Sequence, residues 1–383
     1  MYDIKQLLAF MKQHDASDLY LTANLAPSFK IHGSVKPAGK VPLDAEMIHG
    51  LIKSVLSEKD YQEFLGKKEF NSAWSDPTIG RYRFNFYQQK ALPAMVIRKI
   101  EVKIKTLDDL KLPEILKDVS MTKRGLVLVV GATGSGKSTS LAAMINHRNE
   151  NEAGHIMTVE DPVEYVHEHK KCVVSQREVG VDTESFKAAL KNTLRQAPTV
   201  ILIGEIRDEE TMEHALTFAE TGHLCLATLH SNNANQAMER VINFFPPERH
   251  RQIYLQLSLN LRAIVSQRLI KTIDGSRAAA IEILLDSARI KELIKKGQVD
   301  GIKEAMSAGS GEGMQTFDQA ILDLFLAKRI TLKEALDNAD SATDMKIKIK
   351  LAGGELAKEL EAEEKRDLAL DDHKAANGKS AFG

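Results

Sequence analysis

Residues 131–138 read Gly-Ala-Thr-Gly-Ser-Gly-Lys-Ser and follow directly on the apolar run Leu126-Val127-Leu128-Val129-Val130. This is the phosphate-loop pattern G-x-x-x-x-G-K-[ST], in its required setting of a buried strand, a Gly-rich turn and a helix, here expected from Ser138 to about Asn146. Glycines let successive backbone N–H groups converge on phosphate oxygens, and the helix N-terminus adds a favourable dipole. Gly131, Thr133, Gly134, Ser135, Gly136 and Thr139 form the expected cradle. Lys137 is expected on the β/γ-phosphates and the Ser138 hydroxyl on Mg²⁺. The chain is therefore expected to bind a nucleoside triphosphate.

The 383 residues suffice for two or three domains, each with its own core. A formal net charge of -1 provides no global field toward nucleic acid or an anionic membrane. Cys172 and Cys225 form no C-x-x-C pair, which argues against a zinc site and fits a reducing compartment. The mixed N-terminus, with Asp3 and Lys5, lacks a signal-peptide pattern. No apolar stretch reaches the roughly 18–20 residues of a membrane span. A cytoplasmic protein without an integral membrane segment is expected.

Apolar spacing at Ile4, Leu7, Leu8 and Met11 predicts a helix over 3–14. Residues 18–22, 28–35, 81–87 and 94–100 read as strands, and 47–56 as a helix. This makes residues 1–102 a small α+β unit, with a charged linker at 103–113. From 114 to 344, strands expected at 126–130, 155–159, 200–203, 224–228 and 279–284 alternate with helices, the sign of a mostly parallel α/β sheet. Residues 246–267 read as helical. In the tail, 345–383, the strict alternation of Met345-Lys346-Ile347-Lys348-Ile349-Lys350-Leu351 predicts a short strand. Residues 355–383 carry eight acidic and five basic residues, a composition that suits a solvated charged end or a docking tail.

Three further blocks carry chemistry. Val200-Ile201-Leu202-Ile203-Gly204-Glu205 is an apolar strand ending in a carboxylate, which suits Mg²⁺ held directly or through water. Glu160, Asp161 and Glu164 fall within five residues after a strand, around Pro162. Glu160 and Asp161 are further metal candidates, and hydrolysis needs a group that orients or deprotonates water. His223 and His230 bracket the strand at 224–228 and are either phosphate sensors or ordinary core histidines. Arg81, Arg83 and Arg98 lie on N-terminal strands, as fingers for a neighbouring subunit's phosphates or as a solvated face.

These blocks, in this order, closely resemble the PilT/VirB11-like secretion ATPases, the hexameric motors of type IV pili and of type II and IV secretion. The resemblance matches Gly131–Thr139 to the Walker A loop and Thr158–Tyr165 to the aspartate box, with Glu164 at the catalytic glutamate. It matches Ile201–Asp208 to the atypical Walker B, with Glu205 at the glutamate position, and Thr221–Asn232 to the histidine box. It implies an α/β fold, a RecA-like P-loop ATPase domain preceded by a smaller PAS-like N-terminal domain whose arginines engage nucleotide. The motifs at Ala16–Leu21 and Met314–Gln319 resemble the pilus retraction branch, the PilT/PilU family. Arg289-Ile290-Lys291 departs from the PilT pattern, and with the extra tail it is nearer the accessory PilU branch.

The resemblance implies a ring of identical subunits, a PilT-like paralogue and an inner-membrane pilus platform protein as partners, no nucleic acid, and a peripheral place at the base of the pilus machine. ATP binds between the two domains in this reading. Lys137, Glu164, Glu205 and His230 carry catalysis, while His223 and the arginines sense or close on the phosphates. Its alternatives are a nucleotide-gated adaptor with dispensable hydrolysis, and the main PilT-type retraction ATPase. A nucleic-acid motor would need a basic strand-binding surface, for which the near-neutral charge offers no support.

Overall fold

The computed structural model describes residues 2–31, 33–76, 78–100 and 103–353. It begins with α1 (Ile4–Gln13), β1 (Ala16–Thr22), β2 (Ser28–Ile31), β3 (Ser34–Pro37), α2 (Ala45–Lys53), α3 (Glu58–Lys67), β4 (Glu69–Asp76), β5 (Gly80–Gln89) and β6 (Leu92–Ile100). There follow α4 (Ile115–Ser120), β7 (Gly125–Val130), α5 (Lys137–Asn151), β8 (Gly154–Glu160), β9 (Cys172–Glu178), α6 (Phe186–Thr193) and β10 (Val200–Ile203). Next come α7 (Glu209–Glu220), β11 (Leu224–Leu229), α8 (Ala234–Asn243), α9 (His250–Asn260), β12 (Leu261–Lys271) and β13 (Arg277–Leu285). The last described elements are α10 (Ala288–Lys295), α11 (Ile302–Ala308), α12 (Phe317–Leu326), α13 (Leu332–Asn338) and α14 (Ala342–Ala352). Among the described residues, no helix is long and apolar enough to cross a membrane.

The chain divides into two compact units. The first comprises the residues up to Lys105 together with Asn149–Gly204. Its six-stranded sheet has the order β3-β2-β1-β6-β5-β4, with every neighbour antiparallel. Alternation puts Phe84 and Phe86 of β5 and Leu19 and Leu21 of β1 on the buried face, against Leu8 and Met11 of α1 and Ile48 and Ile52 of α2. The side chain of Asp3 caps α1 by accepting from the Gln6 N–H. On the other face, Lys30, Asp18, Arg98 and Arg83 stand in register across four neighbouring strands. The same unit holds β8 between β10 and β9, all parallel.

The second unit comprises Thr106–Arg148 and the described residues from Glu205 onward. Its β7 is buried at every position and lies parallel to β11 on one side and β12 on the other, with β13 antiparallel to β12. Leu229 and Ser266 both pair with Val130, so the segments after β7 and β11 leave the sheet at one edge, beside the stretch of β12 that follows Ser266. That edge is where ligands bind in parallel α/β sheets.

Four expectations change. Residues 28–35 form a hairpin rather than one strand, because Gly33 turns the chain at φ +82° between β2 and β3. The helix expected through Gln267 ends at Asn260, and Leu261–Lys271 is β12, drawn into strand by pairing with β7. Residues 345–351 are helical, not a strand. Ser341 caps α14 by accepting from the Asp344 N–H, and Met345 and Ile349, four apart, both enter the core with Phe317, Ile321 and Phe325. The alternating Ile347 and Leu351 point outward instead. Finally, α3, β4 and β9 were not anticipated. Residues 355–383 of the charged tail lie outside the described residues.

Phe317 is wholly buried in this C-terminal cluster, with the Arg268 guanidinium 3.9 Å from its ring centroid. We expect Phe317→Ala to cost about 3–5 kcal/mol of stability, through a cavity and a lost cation–π contact. Urea unfolding followed by tryptophan-independent circular dichroism measures it, and a cost below about 1 kcal/mol would contradict a tightly packed α12–α14 cluster.

Candidate functional site

In the second unit, the loop after β7 closes by glycine geometry. Gly131 has φ +155°, and a methyl there would lie 2.5 Å from Ser135 Oγ and 2.6 Å from the Gln267 carbonyl. Gly136, at φ +89°, would press a methyl to 2.7 Å from Gln267 Nε2, and Gly134 sits at φ +77°. Both demand a residue without Cβ. Gln267 is the clasp beneath: its Oε1 accepts from Ser140 Oγ on α5 at 2.8 Å. Ser135 Oγ is buried and has no hydrogen-bond partner among the described residues. Lys137 is buried, and its Nζ donates to the carbonyls of Gly131 (2.8 Å) and Ala132 (3.0 Å). Thr133 is exposed, and Ser138 and Thr139 are half-buried in the first turn of α5. The loop thus places a fixed cation, hydroxyls and a helix N-terminus together, the chemistry of a phosphate site.

Glu205 and His230 meet at the same edge. His230 Nε2 lies 3.1 Å from Glu205 Oε1, and Arg207 Nε lies 2.6 Å from Oε2. Burial holds the His230 pKa below its usual value; the nearby Lys137 charge adds to this, and Glu205 opposes it. Neutral His230 therefore donates from Nε2 to the carboxylate and keeps a lone pair on Nδ1. The rim residues Ala132, Asn232 and Gln236 line two adjoining clefts. One, of about 840 Å³, also takes in Gly134, Gln267 and Arg277. The other, of about 550 Å³, also takes in His230 and Arg240.

The structure does not bring His223 to this edge. Its Nδ1 sits 3.1 Å from Thr221 Oγ1 and 3.3 Å from the Phe218 carbonyl, at the C-terminal end of α7. Six residues of β11 separate it from His230. At ~3.3 Å per strand residue, seven steps put the two histidines about 23 Å apart, at opposite ends of β11. In this structure His223 contacts the end of α7 rather than the phosphate loop.

The first unit gathers the acidic block and the arginines. Glu160 accepts from Thr158 Oγ1 at 2.6 Å and Gln176 Nε2 at 3.3 Å. Loss of hydration pushes its pKa up to about 7, with those two hydrogen bonds opposing the rise and Glu164 and Glu178 adding to it. Asp161 Oδ1 lies 3.9 Å from Arg83 Nη2. Arg98 Nε pairs with buried Asp18 Oδ1 at 2.8 Å, and the Asp18 hydrogen bond raises the Arg98 pKa. The charge of Glu164, which is solvent-exposed, acts on Arg98 in the same sense. Arg81 and Arg83 share one face of β5, and Arg83 pairs across to Arg98 on β6.

Glu178 is a buried carboxylate of this unit that the sequence reading did not single out. It ends β9, is wholly buried, and accepts from the Val163 N–H at 3.1 Å. The sequence carried little signal for it, since β9 reads Cys172-Val173-Val174-Ser175-Gln176-Arg177-Glu178 and is apolar only at its start. Gln267 had no local signal, because only the pairing of β12 with β7 brings it beneath the loop.

The oxygen donors expected for Mg²⁺ fit the ion in kind. Mg²⁺ keeps several waters and takes one or two protein oxygens plus phosphates, and Ser138 and Glu205 supply such oxygens in the second unit. Among the described residues, no group of three or more His, Cys, Asp or Glu side chains is arranged to hold a metal. Glu160 and Asp161 are already engaged, by Thr158 and Gln176 and by Arg83.

The family model for type II/IV secretion system proteins matches residues 92–337. The chain is 54% identical over 350 residues to the type IV pilus ATPase PilU of Pseudomonas aeruginosa, covering 91% of this chain and 92% of that protein. It is 42% identical over 340 residues to the type IV pilus retraction ATPase PilT of the same organism, covering 88% and 98%. The crystal structure of the pilus retraction motor PilT with bound ADP aligns with a TM-score of 0.84 at 36% identity, covering 90% of this chain and 99% of that one.

Proposed function

Because the chain belongs to the type II/IV secretion system protein family, we propose that it is a motor ATPase of the type IV pilus that couples ATP hydrolysis to pilus retraction, as an accessory to a PilT-like paralogue. The observation that carries this is the loop itself: a buried Lys137 set over Gly131 and Ala132 at the sheet edge where Glu205 and His230 meet. The likeness to PilU over nine-tenths of the chain directs that chemistry to the pilus.

In the proposed mechanism the loop N–H groups and Lys137 bind and orient the phosphates. Ser138 and Glu205 would hold Mg²⁺, which when bound screens the charge that develops on the phosphoryl oxygens. Glu164 accepts a proton from the attacking water. His230, neutral and hydrogen-bonded to Glu205, keeps that carboxylate aimed at the phosphate edge. Arg98, pinned by Asp18, places positive charge beside Glu164. The protein works as a hexameric ring in the cytoplasm, docked on an inner-membrane platform protein of the pilus machine.

The test is genetic and mechanical. A pilus-bearing strain that lacks this chain should retract against load less often, and the restored gene should recover retraction only while the PilT-like paralogue is present. Twitching and retraction force unchanged by the deletion would overturn the proposal. Recovery without the paralogue would make this chain the main retraction ATPase.

A further inference from the structure

We propose that Glu178 is the positioning residue of the acidic loop, and that Arg83 serves within its own subunit as the counter-ion of Glu178 rather than as a ligand of nucleotide. This rests on the reading of Glu164 as the group that activates water. The geometry has three parts. Glu178 Oε2 accepts the N–H of Val163, the residue directly before Glu164, at 3.1 Å. Arg83 Nε lies 3.6 Å from Glu178 Oε1, and its Nη2 lies 3.9 Å from Asp161 Oδ1. Val163 is itself buried, which makes it the fixed point from which exposed Glu164 projects.

The electrostatics require a partner. Glu178 is wholly buried at the end of β9, where an uncompensated carboxylate is costly. Burial raises its pKa, while the Val163 N–H, Arg83 and Arg81 pull it back. Arg83 thus faces two carboxylates at ion-pair range, Glu178 and Asp161, with no hydrogen bond made by its Nε among the described residues. In the cross-sheet row it stands directly beside Arg98, a like-charge pair that the sheet alone disfavours. Asp18 offsets Arg98 on one flank and Glu178 offsets Arg83 on the other. Removing Arg83 should therefore disturb Glu178, then Val163, then Glu164. Catalytic geometry tolerates little of this, since a 1 Å misplacement costs about 10²-fold in rate.

A double-mutant cycle on the full chain separates this from a nucleotide contact. Arg83→Ala should lower kcat for ATP by about 10-fold or more while KM stays within about 2-fold, the pattern of a lost transition-state arrangement. Glu178→Gln keeps an acceptor for the Val163 N–H and removes the charge. In that background, Arg83→Ala should cost less than about 2-fold. Arg83→Lys, which keeps a cation opposite Glu178, should retain kcat within about 3-fold of wild type even if Glu178→Gln fails to fold. The inference is overturned by equal losses from Arg83→Ala in both backgrounds, by a rise in KM without a fall in kcat, or by a lysine variant as slow as alanine. Failure of the underlying reading has a different signature, a Glu164→Gln protein that hydrolyses ATP like wild type.

Discussion

Lys137→Ala should lose ATP turnover and weaken nucleotide binding together. The side chain is only 9% exposed, and its ammonium donates to two carbonyls of the phosphate loop. Those contacts fix the cation inside the loop that frames the phosphate edge. Charge-assisted contacts to phosphate are about twice as strong as neutral hydrogen bonds. Removing one preorganised donor from a developing oxyanion costs about 10²–10³ in rate, roughly 2.7–4 kcal/mol. Steady-state phosphate release and binding of a fluorescent ATP analogue measure the two effects. An unchanged thermal midpoint would show that the fold survives. Turnover near the wild-type rate would remove Lys137 from the mechanism.

The loop was legible because everything it needs is local. Strand, glycines, lysine and helix occupy consecutive positions, and each glycine's role follows from its own φ. Glu205 was legible for a similar reason, as the end of an apolar strand. Contacts made across the fold were not. Gln267 closes the loop from β12, a segment read as helix, because pairing with β7 overrode its local pattern. Period-two alternation at 345–351 suggested a strand, yet burial selected Met345 and Ile349, four apart, and so a helix. The two histidines look equivalent in sequence. A strand between them sends His230 to the phosphate edge and leaves His223 at the strand's other end. The arginines were legible as residues on one strand face but not in their partners, since Asp18 and Glu178 are distant in sequence from Arg98 and Arg83.

Glu164→Gln should separate binding from hydrolysis, which Lys137→Ala cannot do. The substitution keeps size and polarity and removes the basic site, and the loop's anchor through Val163 and Glu178 involves only the backbone of its neighbour. Nucleotide affinity should therefore stay within about 2-fold, as expected for a residue whose contribution appears only in the transition state. General-base catalysis is worth about 10²–10⁴-fold, so kcat should fall by that factor. Single-turnover hydrolysis measures the chemical step, and equilibrium binding measures the affinity. A variant that still turns over at the wild-type rate would move the base to another carboxylate of the block. Glu160 is the less suitable of these, because its oxygen is already claimed by Thr158 and Gln176. The same variant decides between motor and adaptor in the cell. A motor that spends ATP on retraction should lose its contribution when it binds nucleotide without cleaving it. Full retraction by a hydrolysis-dead Glu164→Gln protein would instead show that nucleotide binding alone is what the pilus machine reads.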